Sequence, residues 1–193
     1  MEFKIKNTSV KLSFSFVALV LLFIISEKDN LYFITFFNAL LHELIHIFFI
    51  IIFKGEIKEF KISIVGCELK RHDLIGSNIH NAVIYISAPV FNIILGVICL
   101  LVIKESNNFV VSNLTLGFFN ILPFYKFDGG CFLKSILLHF FNENKAEKIT
   151  TTVSIIVTIL FALISIPVVF YYKNGLFLIF FNLYMILALI FKK

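Results

Sequence analysis

Six apolar runs dominate the chain, and each must lie against lipid or protein. They cover Val10–Ser26, Leu31–Phe53, Asn81–Ile103, Phe109–Leu122, Ile149–Tyr172 and Leu176–Phe191. A bilayer span needs about 20 apolar residues, and the longer runs reach that length. Over 193 residues the chain is 60% hydrophobic and only 15% charged, more apolar than a soluble domain of that size. The expected fold is an all-α polytopic membrane protein of about six transmembrane helices, a single domain over 1–193 with its core at 31–145. The first run has no small-residue cleavage site after it and is followed at once by a second, so it reads as a retained span.

Charge supports an orientation. Fourteen Lys and Arg fall on one side of the runs, and three (Lys28, Lys104 and Lys173) on the other. The positive-inside rule then puts both termini in the cytoplasm and favours an even number of crossings. The net charge of +5 needs no nucleic acid to explain it, since no basic stripe interleaves with aromatics. Cys67, Cys99 and Cys131 are scattered and form no metal or disulfide pattern.

Between the second and third runs, Phe60, Ile62 and Ile64 alternate with Glu59, Lys61 and Ser63. That period of two predicts a strand, and Gly66 suits a turn into a return strand near Cys67–Lys70. A small cytoplasmic-face β-hairpin is expected there.

The second run contains "HELIH". His42 and His46 are four residues apart, so a helix places them on one face, and Asn38 and Thr35 fall on it too. Ionisable side chains inside a membrane are costly and by default mark function. Two neutral imidazoles at this spacing can hold one zinc ion, with Glu43 beside it as general base. The plainer reading is a satisfied polar network between helices. Asn81, Tyr85, Ala88 and Asn92 share a face of the third run, which reads as packed or water-lined. His72, His80 and His139 read as surface or interfacial.

A catalytic zinc usually has a third protein ligand. Of the three aspartates, Asp29 lies on the far side of the membrane and Asp73 sits beside Arg71 in a loop. Asp128 stands in "FFNILPFYKFDGGCFL", between a helix-ending Pro123 and the Gly129–Gly130 pair. Two readings of it are open: a metal ligand at a break in the membrane, or a loop aspartate capping the next helix.

"HELIH" followed by "NILPFYKFDGG" resembles the site-2 protease family of intramembrane zinc metalloproteases, whose pattern is HExxH and a later N-x-x-P-x-x-x-x-D-G. "SAPVFN" is similar to that family's G-P-x-x-N element, with Pro89 and Asn92 matching and Ala88 in place of Gly. Ile45 stands where Gly is usual and Cys131 where a basic residue is common. The resemblance implies one zinc ion held by His42, His46 and Asp128, with Glu43 as catalytic base. It gives Asn120 a part in positioning substrate or stabilising the oxyanion, a part that Asn92 can share. The layout looks most like the sporulation-type branch, which cleaves a membrane-tethered sigma-factor precursor, although neither a PDZ nor a CBS domain is expected here.

The expected activity is hydrolysis of peptide bonds in or beside transmembrane segments of membrane-anchored proteins. The setting is the cell membrane, with a site opening to the cytoplasmic side and inhibitory membrane partners implied by the sporulation resemblance. An unwound substrate would be held by edge pairing at Phe60–Ile64 or by the segment Leu122–Lys126. The rivals are a metal-ion transporter, another membrane zinc peptidase such as a prenyl-protein protease, and a chaperone-like relic without activity. Repeats and several intramembrane ligands would favour a transporter, and neither is present.

Overall fold

In the computed structural model the backbone is described for residues 2–5, 8–12, 30–54, 57–63, 66–71, 77–171 and 176–191. Side chains are described for 30–54, 77–171 and 178–191. The chain divides into two compact units, Met1–Phe119 and Asn120–Lys193.

The first unit opens with two strands, β1 (Glu2–Ile5) and β2 (Thr8–Leu12). Helix α1 spans Leu31–Ile52, and two further strands follow, β3 (Ile57–Ser63) and β4 (Gly66–Arg71). The sheet order is β1-β2-β3-β4. β1 and β2 pair antiparallel, β2 and β3 pair parallel with Val10 opposite Phe60, and β3 and β4 pair antiparallel with Ile62 opposite Cys67. Two expectations change. A span was expected to begin at Val10, but Thr8–Leu12 is strand, and the rest of that run lies outside the described residues, as do His72 and Asp73. Strand addition at Phe60–Ile64 is ruled out through Ser63, because β3 already has a neighbour on each side.

Helix α1 is inside-out relative to a soluble helix. Its buried stripe is Asn38, His42, His46 and Ile50, each one turn from the next. Its outer face carries Phe33, Phe37, Leu44, Phe48 and Ile51, all at least 48% exposed. Apolar groups outside and polar groups inside is the arrangement lipid favours, since hydrocarbon offers no hydrogen bonds. Thr35 departs from the expected stripe. It is exposed, and its hydroxyl donates back to the Leu31 carbonyl.

Helix α2 (Asn78–Ile103) begins at Ser77, whose hydroxyl accepts from the His80 N–H at 3.3 Å. Asn81, Ala88 and Asn92 are buried along it and Tyr85 is half-buried. Helix α3 (Asn108–Ile121) packs closely on α2 through two glycines. A Cβ at Gly117 would lie 2.7 Å from Ile93 Cγ1 and 2.8 Å from the Pro89 carbonyl oxygen. One at Gly96 would lie 2.8 Å from the Leu114 side chain. Small residues at such crossings let membrane helices approach. Gly117→Ala is therefore expected to destabilise by about 1–3 kcal/mol, read as earlier thermal unfolding in detergent. Gly96→Ala should cost less, because the Leu114 side chain can turn aside.

The second unit holds α4 (Asp128–Phe140), α5 (Glu143–Tyr171) and α6 (Leu176–Ile190). Thr150, Ser154, Thr158 and Ser165 form the buried stripe of α5. Ser165 accepts from Asn182 Nδ2 of α6 at 2.6 Å.

Among the described residues three helices are long and apolar enough to cross a membrane: α1, α2 and α5. The fourth and sixth runs fold as shorter helices, α3 and α6. The 14-residue α3 and 15-residue α6 reach only about 21–22 Å against a hydrocarbon core of about 30 Å. Of the six expected crossings, three are helices of spanning length, two are shorter helices, and the first lies mostly outside the described residues.

Candidate metal centre

The first unit supplies the histidines. His42 is 4% exposed and His46 is 6% exposed, one turn apart on α1. Their rings meet edge to face with centroids 4.9 Å apart. The nitrogens each offers to a metal lie within 4.8 Å of one another.

Each ring is held from behind. His46 Nδ1 sits 2.8 Å from the Ile84 carbonyl oxygen, which also accepts from Ser87 Oγ at 2.8 Å. A carbonyl can only accept, so His46 carries its proton on Nδ1 and leaves the Nε2 lone pair for a metal. His42 Nδ1 sits 2.8 Å from Asn92 Oδ1. Outer hydrogen bonds of this kind orient metal-binding histidines.

Asn92 is fully buried on α2, and its Nδ2 donates to Asn113 Oδ1 at 2.8 Å. It therefore stands behind the His42 ring. Asn113 was missed at the sequence level, although an amide in an apolar helix is a signal of the same kind as Asn38. Asn38 donates to Ser112 Oγ, one turn from His42. Glu43 follows His42 on α1 and is half-buried. The plainer reading of HELIH, a polar network, is thus partly real, but it engages the Nδ1 side of each ring.

Asp128 belongs to the second unit. Between α3 and α4 the backbone doubles back through Leu122–Phe127. Phe124 is fully buried, its N–H donates to the Leu122 carbonyl at 2.7 Å, and its carbonyl accepts from the Phe127 N–H at 2.8 Å. The Tyr125 N–H is satisfied by Ser154 Oγ at 2.9 Å, and the Tyr125 hydroxyl donates to the Ala188 carbonyl. Non-helical backbone in an apolar protein needs such partners.

The paired glycines are required by this reversal. A Cβ at Gly129 would lie 2.1 Å from the Ile121 carbonyl oxygen, and one at Gly130 would lie 2.0 Å from that of Phe124. Asp128 is the first residue of α4 and half-buried. Phe127 occupies the cap position, so Asp128 is the first residue of the helix rather than its cap. Its side chain stands at the N-terminal end of α4. Asn120 is half-buried near the end of α3.

No family model matches the chain, and no curated protein matches it. Among solved structures it is similar to the Site-2 Protease from Methanocaldococcus jannaschii, with a TM-score of 0.68 and 22% sequence identity. The match covers 98% of this chain and 93% of that one. At that identity the likeness is one of fold: the chain has the fold of a site-2 protease structure over nearly its whole length.

Proposed function

We propose that the protein is an intramembrane zinc metalloprotease of the site-2 type. The observation that carries the reading is the histidine pair. Two buried imidazoles sit one turn apart in an apolar helix, each engaged at Nδ1, which suits metal binding through Nε2. The fold likeness supports the same reading. Asp128 is the third donor in this proposal, beside His42 and His46. Two imidazoles, one carboxylate and an open position suit catalytic zinc.

When bound, zinc supplies Lewis acidity that polarises the scissile carbonyl and acidifies a water. Glu43 takes the water's proton on its carboxylate and returns it to the departing amine. Asn120 donates from its amide to the developing oxyanion. Asn92, buried behind His42, positions that ring. The substrate is a membrane-anchored protein whose helix unwinds at the scissile bond. The segment Leu122–Lys126 holds the unwound strand, since β3 has no free edge.

The same proposal includes a cell-membrane location, both termini in the cytoplasm and a site open to that side. In its narrowest form it assigns a membrane-tethered sigma-factor precursor as substrate, with inhibitory membrane partners at the inlet.

Metal content tests the reading. Purified protein should hold one zinc per chain. His46→Ala and Asp128→Ala should each weaken zinc by more than the roughly 10- to 100-fold typical of outer-shell changes, and both should abolish cleavage. A protein that cleaves without metal, or an Asp128→Ala variant that keeps full zinc affinity, would overturn it.

A further inference from the structure

We infer that Asn113 is a positioning residue that acts through Asn92 to select the His42 tautomer able to take a metal. The inference rests on the metal site proposed above, but its geometry lies wholly within the first unit.

The two histidines differ in what holds them. His46 faces a backbone carbonyl, which leaves no choice of tautomer. His42 faces a side-chain amide, and an amide has two ends. With Asn92 Oδ1 toward the ring, Nδ1 must carry the proton and Nε2 carries the lone pair that a metal would take. With Asn92 turned over, its Nδ2 would donate to Nδ1, the proton would move to Nε2, and His42 could not ligate. Taken alone, Asn92 permits both states.

The tie is broken two links away. The Phe109 carbonyl can only accept, and Asn113 Nδ2 donates to it at 2.9 Å. That turns Asn113 Oδ1 toward Asn92, where it accepts from Nδ2 at 2.8 Å. Asn92 Oδ1 is thereby turned toward His42 Nδ1 at 2.8 Å. The polarity runs one way, from a fixed acceptor on the backbone of α3, through two amides, to the imidazole. Both amides are 0% exposed, so water is not at hand to satisfy a reversed arrangement. Reversing the chain would set Asn113 Oδ1 against the Phe109 carbonyl, two acceptors face to face in an apolar interior, where an unmade hydrogen bond is costly.

The test reads the tautomer on metal-free protein labelled with ¹⁵N at histidine. In the parent protein both His42 and His46 should show the Nδ1–H pattern. In Asn113→Leu, His42 should show a mixture with the Nε2–H form, while His46, held by a carbonyl, should not change. Zinc affinity should fall about 10- to 100-fold. Asn113→Asp should restore the parent pattern, because its carboxyl oxygen still accepts from Asn92 and its protonated oxygen can donate to Phe109.

An Nε2–H form of His42 in the parent protein overturns the inference, even if Asn113→Leu fails to fold. Unchanged tautomer and affinity in a folded Asn113→Leu also overturn it. A tautomer shift in a protein that never binds zinc would uphold the relay and sink the metalloprotease reading instead.

Discussion

Glu43→Gln is expected to lower cleavage of a co-expressed membrane-tethered substrate by about 10²- to 10⁴-fold, with zinc content unchanged. Gln has the shape of Glu but cannot take a proton from water at neutral pH. Glu43 lies one residue from His42 and three from His46, so it sits beside the histidine face of α1 without being on it. Glu43 is half-buried. The measurement pairs substrate processing on immunoblots with metal analysis of the purified variant. Retained cleavage would remove Glu43 as the base. Loss of zinc would make Glu43 a ligand, which the proposed donor set does not require. Zinc uptake into liposomes that survives the substitution would favour the transporter.

Gly130→Ala is expected to be the most damaging single methyl among the described glycines. The added Cβ would sit 2.0 Å from the Phe124 carbonyl oxygen and 2.4 Å from its carbon. Both are backbone atoms of a turn whose own hydrogen bonds fix it, so nothing flexible can yield. Overpacking typically costs about 1–3 kcal/mol when side chains can shift. Here the reversal must open, so the loss should reach or exceed the top of that range. The readout is thermal unfolding and protease resistance in detergent, with Gly96→Ala as the mild comparison. Because Asp128 precedes the glycine pair, the variant should also lose metal. A Gly130→Ala protein as stable as the parent would mean the turn is built differently.

Much of the helical layout can be read from the runs of apolar residues, because a span cannot be made otherwise. The ends of the runs are less telling. Helix α5 starts at Glu143, six residues before Ile149. Its first turns carry charges that hydropathy passes over but helix geometry tolerates. The strand at Thr8–Leu12 was legible in principle, since Val10 and Leu12 alternate with Ser9 and Lys11, yet the longer apolar run beginning there outweighs it. The histidine pair stands out because its cost in lipid is high for every residue involved. Asn113 does not, because an amide in a membrane helix commonly serves packing. Only its partners show that it faces Asn92, and partners 21 residues apart in sequence leave no local pattern. The glycine pair announced a tight path, but which carbonyls it avoids is a fact of the turn alone.

The last helix carries none of the proposed chemistry, yet the Tyr125 hydroxyl reaches across to its Ala188 carbonyl. A remote tail thus acts as a clasp on the bend that presents Asp128. Anyone trimming the chain or splicing a reporter ahead of residue 188 would loosen that clasp, and a dead preparation obtained that way would say nothing about the histidines.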